Sequence, residues 1–170
     1  MKRAGIFLTL IGVMVFVFAG VAFAASINCN GGDCVGTRSH DTLYGSPRVD
    51  IEFGLGRGDL MYGYESADQM SGNFGWDKMY GGIGSDTVNG DDGDDAVYGN
   101  SGDDTVNGGS GGDVVVGNNG NDTLSGDVGN DLIQAVDNHK DQINCAGGYD
   151  TVYFDRGLDV LRRCEDRNPR

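Results

Sequence analysis

Seven aspartates, Asp77, Asp86, Asp95, Asp104, Asp113, Asp122 and Asp131, recur at an unbroken spacing of nine residues. Each sits in a glycine-rich stretch whose backbone carbonyls are not screened by bulky side chains. Carboxylates and carbonyls so arranged suit a hard divalent cation. Calcium fits best, because it takes about six to eight oxygen ligands in an irregular shell and mixes the two kinds freely. Without a cation between them, carboxylates stacked in columns repel one another.

The residues around these aspartates say what must position them. From Gly72 to Gln134 the chain reads GNFGWDKMY, GGIGSDTVN, GDDGDDAVY, GNSGDDTVN, GGSGGDVVV, GNNGNDTLS and GDVGNDLIQ. Each unit has glycine first and fourth, aspartate sixth and an apolar residue eighth. Glycine and aspartate favour a turn over the first six positions. The last three alternate outward, inward, outward, so that Met79, Val88, Val97, Val106, Val115, Leu124 and Ile133 point into a core from very short strands. The pattern predicts an all-β fold, a parallel β-roll with two repeats per coil. Residues eighteen apart then stack, and Asp77, Asp95, Asp113 and Asp131 line one edge while Asp86, Asp104 and Asp122 line the other.

The phase extends beyond these seven units. Asp41, Asp50, Asp59 and Asp68 keep the spacing of nine, and Asp141, Asp150 and Asp159 resume it after an insertion at 135–140. Units 36–71 keep their first glycine and lack the fourth, and Glu52 falls at an inward position. These units are expected to coil without metal sites, with Val49, Ile51 and Phe53 as the buried face of a shifted register. The expected organisation is a leader at 1–25, a cysteine-bearing cap at 26–35, degenerate repeats at 36–71, the regular repeats at 72–134, and degenerate repeats with a second cap at 135–170. About seven coils, at ~4.8 Å each, make a rod on the order of 34 Å long.

Lys2 and Arg3, an apolar run from Ile6 to Val17, and Ala22-Phe23-Ala24 before Ala25 have the features of a cleaved secretory signal; an uncleaved membrane anchor is the competing reading. Its removal takes 12 Lys and Arg to 10 against 26 acids, so the formal charge moves from −14 to −16. That balance disfavours nucleic acid and anionic membranes as partners and favours cations. The regular apolar eighth position argues against a disordered acidic chain. An export signal with four cysteines points to disulfides. Cys145 and Cys164 lie nineteen apart in a chain whose coil is eighteen, which places them on adjacent coils within bridging reach. The expected pairs are therefore Cys145 with Cys164 and Cys29 with Cys34, closing the two ends. A zinc site would need other spacings.

Over residues 72–134 the chain resembles the repeats-in-toxin, or haemolysin-type, calcium-binding family, and its tail resembles the end of small exported bacterial proteins with such repeats. The resemblance implies a parallel β-roll with each ion between turns one coil apart, held by the aspartates of both turns and by loop carbonyls. Carried over, the pairs are Asp77 with Asp95, Asp95 with Asp113, Asp113 with Asp131, Asp86 with Asp104, and Asp104 with Asp122, or about five calcium ions. The carbonyls would come from Gly75, Gly81, Gly84, Gly90, Gly93, Gly99, Gly102, Gly108, Gly111, Gly117 and Gly120. With one apolar side chain per nine residues, the roll is expected to wind only when calcium is bound.

Other chemistries fit less well. Asp91-Asp92-Gly93-Asp94-Asp95 lacks the order of an EF-hand and its closing glutamate, so Asp91, Asp92, Asp94 and Asp103 are expected to be solvated turn residues. His40 and His139 have no nucleophile in a matching motif, and no catalytic set can be placed. Tyr44, Tyr62, Tyr80 and Tyr98 should form a column beside Leu60, Val114 and Leu132, either a ladder that stiffens the sheet or a surface for cell-wall glycan or a protein partner. The opposite face carries Thr87, Thr105 and Thr123 with Asn89 and Asn107, too short a column for ice binding. The expected function is a secreted, extracellular calcium-binding module, structural or adhesive and not an enzyme; the alternative is a module acting on extracellular polysaccharide through the tyrosine face or an acidic groove.

Overall fold

The computed structural model describes residues 8–10, 13–15, 24–164 and 166–169. The leader and its Ala22-Phe23-Ala24 site lie mostly outside the described residues; Leu8–Leu10 and Val13–Val15 pair antiparallel. Among the described residues no helix is long and apolar enough to cross a membrane.

From Ser26 onward the chain winds as a roll between two parallel sheets. In the nine-stranded sheet, Ser26–Asn28, Thr42–Ser46, Leu60–Glu65, Lys78–Ile83, Ala96–Ser101, Val114–Asn119, Leu132–Ala135, Thr151–Phe154 and Asp166–Pro169 follow one another. The eight-stranded sheet runs Gly32–Val35, Asp50–Gly56, Gln69–Phe74, Thr87–Asp92, Thr105–Ser110, Thr123–Val128, Gln142–Asn144 and Val160–Arg162. Two nine-residue units make one coil, as the register Val88↔Val106 shows. The insertion at 135–140 lengthens one coil by a residue, giving Leu124↔Ile143, and the spacing of eighteen returns at Ile143↔Leu161.

The roll has about eight coils, one more than the spacing predicts. The additional coil is Ser26–Val35, which carries no aspartate in phase but supplies a strand to each sheet. The strands are also longer than expected. Lys78–Ile83 takes the last three residues of one unit and the first three of the next, which leaves a turn of only three residues, Gly84-Ser85-Asp86. A left-handed residue at the second position, φ 71° at Asn73 and 72° at Asp91, bends the strand so that the short turn can reverse it.

The core is a double file of single side chains. Ile27, Leu43, Met61, Met79, Val97, Val115, Ile133 and Val152 stack from one sheet, and Met70, Val88, Val106, Leu124 and Ile143 from the other, all at 2% exposure or less. Glu52 belongs to the second file, in register between Cys34 and Met70, and is 0% exposed. The expected register shift at Val49, Ile51 and Phe53 does not occur: Val49 is 56% and Phe53 37% exposed. Keeping the register fixed spares every ladder hydrogen bond in the neighbouring coils, and the chain tolerates one buried carboxyl instead. The cysteines pair as expected, Cys29 with Cys34 (Cα–Cα 5.5 Å) and Cys145 with Cys164 (5.0 Å).

Candidate metal sites inside the turns

The sixth-position aspartates do not line the outer edges of the roll. They turn inward, and Asp77, Asp86, Asp95, Asp104, Asp113, Asp122 and Asp131 are each only 1–3% exposed. The three-residue turn is too short to throw its last side chain outward, so the carboxylate folds back over the core. One oxygen is used structurally. Asp95 Oδ1 accepts the backbone N–H of Asp77 at 2.7 Å, and Asp104, Asp113, Asp122 and Asp131 serve the coil before them in the same way at 2.8–2.9 Å. The other oxygen, Oδ2 of all seven, is shut off from solvent and has no hydrogen-bond partner. A buried charged oxygen left so is costly, and a row of them marks a place for a ligand.

The first glycine of each unit faces that oxygen. A Cβ at Gly72 would fall within 3.0 Å of both Asp77 Oδ2 and the Gly90 carbonyl; at Gly81 it would meet Asp86 Oδ2 and the Gly99 carbonyl, and at Gly90, Asp95 Oδ2 and the Gly108 carbonyl. The first glycines therefore clear a niche where carboxylate and carbonyl oxygens converge. None of them has a positive φ, so their conformational freedom is not what the site uses. The fourth glycines differ. Gly75, Gly84, Gly93, Gly102, Gly111 and Gly120 have φ between 133° and 152°, and a Cβ at Gly93 would strike the Gly75 carbonyl on the coil before. They let the turns stack closely, and their carbonyls accept no hydrogen bond from any described residue.

Burial raises the carboxyl pKa values, partly offset by the N–H···Oδ1 bonds and reinforced by neighbouring aspartates. Asp95, Asp104 and Asp131 are pushed up to about 7, Asp77 and Asp122 to about 6, and Asp86 and Asp113 are raised for the same leading reason. Among the described residues no lysine or arginine pairs with these acids; the one ion pair is His139 with Asp137, Nδ1 to Oδ2 at 2.6 Å. Neutralisation has to come from protons or an added cation. Among the described residues no three acidic, histidine or cysteine side chains close on one point, so the backbone carbonyls would supply the rest of any metal's shell. Mixed carboxylate and carbonyl oxygens suit calcium and suit thiophilic metals poorly.

Asp94 and Asp103, at the fifth position, hold neighbouring turns: Asp94 Oδ1 accepts the N–H of Gly112 at 2.9 Å and Asp103 Oδ1 that of Asn121 at 2.8 Å. Asp91 accepts from Ser71 Oγ. His40 bonds the Gly58 carbonyl through Nδ1 at 2.6 Å. The tyrosines form the expected ladder, Tyr44, Tyr62, Tyr80 and Tyr98 stacking at 5.7, 5.2 and 4.9 Å with interplanar angles of 4–13°, and Lys78 Nζ lies 5.4 Å from the Tyr80 ring centre. Asp59 and Asp68, outside the expected metal set, are as buried as the seven and also have an unpartnered Oδ2. Their signal in the sequence is the retained first glycine, Gly54 and Gly63.

Four overlapping stretches, 53–88, 71–106, 80–115 and 107–135, match the family described as RTX calcium-binding nonapeptide repeat. Comparison with curated proteins found no match.

Proposed function

Residues 53–135 belong to the RTX calcium-binding nonapeptide repeat family, and from that premise we propose that this β-roll is an exported calcium-binding module whose winding is completed by about five ions between Asp77 and Asp95, Asp95 and Asp113, Asp113 and Asp131, Asp86 and Asp104, and Asp104 and Asp122. The observation that carries this is the row of buried Oδ2 atoms without a partner, each facing a niche kept open by glycine. The carbonyls of the first glycines, Gly81, Gly90, Gly99, Gly108 and Gly117, and of the fourth, Gly75, Gly84, Gly93, Gly102, Gly111 and Gly120, complete the shells. Calcium supplies the charge that lets stacked carboxylates stay ionised. Because it binds the coiled state and not the open chain, it adds directly to folding stability. Two disulfides and the leader's composition support a site of action outside the cell. The role is structural or adhesive rather than catalytic, as the engagement of each of the seven carboxylates with a backbone N–H of the coil before it supports.

A second reading, attachment to extracellular polysaccharide, is favoured by a different surface from the tyrosine column. Within the column Tyr62 and Tyr80 have both ring faces covered by neighbouring tyrosines, which is poor geometry for stacking on sugars. An open trough of about 790 Å³ crosses the eight-stranded sheet instead, lined by Ser71, Asn73, Phe74, Asp91, Asn107 and Asp127 among others; its hydroxyls, amides and carboxylates match a polyhydroxylated chain. Circular dichroism of the full chain during calcium titration tests the main reading: β signal should grow with calcium and be abolished by a chelator. A spectrum indifferent to both would refute it.

A further inference from the structure

Resting on the reading of the chain as exported, we propose that removal of the leader between Ala24 and Ala25 frees an α-ammonium group that pairs with the buried carboxylate of Asp41, so that processing itself supplies the cation for the first rung of the roll. The sequence places the cut, because Ala22-Phe23-Ala24 is the small-residue pattern after which a leader peptidase hydrolyses the chain. The structure places what the cut would free. Ala25 N–H donates to Asp41 Oδ1 at 2.6 Å, and the Ala25 carbonyl accepts the N–H of Thr42 at 2.8 Å. Ala25 packs against the core, whereas Ala24 is exposed. Ala25 is thus the first residue of the roll, one position before the expected cap at 26–35.

Asp41 stands apart from the aspartates that follow it in phase. From Asp50 to Asp141 each of them keeps one buried oxygen without a partner. Asp41 is only 4% exposed, yet both its oxygens are taken, Oδ2 by the N–H of Thr37 at 2.5 Å and Oδ1 by Ala25. The register explains the second bond. Asp59 Oδ1 accepts the N–H of Asp41, one coil before, at 2.7 Å; on the shorter first coil, where Ser26 pairs with Thr42, the residue in that place is Ala25. An uncut chain offers Asp41 neutral N–H groups alone, and among the described residues no lysine or arginine pairs with it. Hydrolysis adds water across the 24–25 bond: the carbonyl carbon of Ala24 takes the oxygen and becomes a carboxylate, and the nitrogen of Ala25 leaves as an amine that is protonated at neutral pH. A nitrogen already 2.6 Å from Oδ1 is placed for a charge-assisted hydrogen bond, roughly twice as strong as a neutral one. The first coil then closes on a charge that exists only after the leader is gone.

The full chain, expressed in a secreting host, gives the first test: N-terminal sequencing of the released protein should read Ala25 first. The released protein is then compared with its N-acetylated form, each with Asp41 and with Asp41→Asn, by hydrogen exchange at the Thr42 and Leu43 amides in saturating calcium. Acetylation keeps the N–H donor and Asp41→Asn keeps an acceptor, so each removes charge alone. Acetylation should speed exchange about tenfold where Asp41 is present, equivalent to about 1.4 kcal/mol, and change it little in the Asp41→Asn variant. Nitrogen NMR of the unmodified protein needs no variant: the α-amino group should titrate above the about 7.7–8.0 of an unpaired N-terminus. An α-amino group in or below that range, equal effects of acetylation in the two backgrounds, or a released protein starting elsewhere would overturn the inference and leave the calcium reading intact. A chain that keeps its leader and is not released would overturn the exported reading, and this inference with it.

Discussion

The N–H of Asp77 donates to Oδ1 of Asp95, eighteen residues on, at 2.7 Å. This one bond divides the labour within each carboxylate. Oδ1 registers one coil against the next, and Oδ2 is left over, buried and unpartnered. Replacing aspartate by asparagine keeps the first function, since an amide oxygen still accepts the N–H, and removes the charge needed for the second. Asp95 belongs to two of the five pairs and Asp131 to one, so Asp95→Asn should lower the calcium stoichiometry by two and Asp131→Asn by one. Isothermal titration calorimetry reads both.

The metal-free roll should be most stable in acid. Burial pushes Asp95, Asp104 and Asp131 up to about 7 and Asp77 and Asp122 to about 6, from an unfolded value near about 4. A carboxyl with a raised folded pKa favours the folded state fully below its unfolded pKa, and that advantage is lost as pH rises through the folded pKa. Without calcium, β structure should therefore persist near pH 4 and fall away between about pH 4 and 7. Calcium, which competes with protons for the same oxygens, should bind more tightly across that window as pH rises. Circular dichroism at fixed chelator concentration over a pH series checks the first, and calorimetry at pH 5 and 8 the second.

Two glycines of different rank should answer differently to a methyl group. At Gly90 a Cβ would meet the Gly108 carbonyl and Asp95 Oδ2 within 3.0 Å, whereas at Gly112 the nearest atom is the Asn130 carbonyl at 3.5 Å. Neither has a positive φ. Gly90→Ala should cost about 1–3 kcal/mol through overpacking and weaken calcium binding, and Gly112→Ala should be close to neutral. Thermal melts with and without calcium separate the two effects.

The period of nine made the roll, its two-unit coil, the inward file of Met79, Val88 and Val97, and the disulfide partners legible, because each follows from position alone. What the sequence concealed was direction and hydrogen bonding. A turn of three residues rather than six turns the aspartates inward, and nothing in the period distinguishes the two. The first coil was hidden because Ser26–Val35 forms strands without an aspartate in phase. Asp59 and Asp68 share the burial and the unpartnered Oδ2 of the seven although their units lack the fourth glycine, because the space beside them is cleared by Gly54 and Gly63.

The disulfide between Cys145 and Cys164 spans 19 residues and holds the last coils, where Leu161 is only partly buried. Closing a loop of this length in the unfolded chain is worth about 3 kcal/mol. Cys145→Ala with Cys164→Ala should lower the melting temperature of the calcium-loaded chain. The loss should be largest at the C-terminal end, as hydrogen exchange at Val152 and Ile143 would report.

Glu52 is the one carboxyl in the apolar file, between Cys34 and Met70, and its Oε2 has no partner. Burial first, then the charges of Asp50, Asp68 and Asp86, push its pKa up to about 8. It is therefore protonated at neutral pH, and the stability it permits is lost as pH rises through about 8. Asp50 beside it has its Oδ2 held by the N–H and hydroxyl of Ser46, while its Oδ1 is buried without a partner. Methionine has nearly the same volume and continues the file of Met61, Met70 and Met79. Glu52→Met should raise stability by about 1–3 kcal/mol, the cost of a buried unpaired polar group, and should abolish any loss of the N-terminal coils above pH 8. Urea melts at pH 7 and 9 measure both; a variant less stable than the parent at pH 9 would show that the carboxylate has a partner in solution.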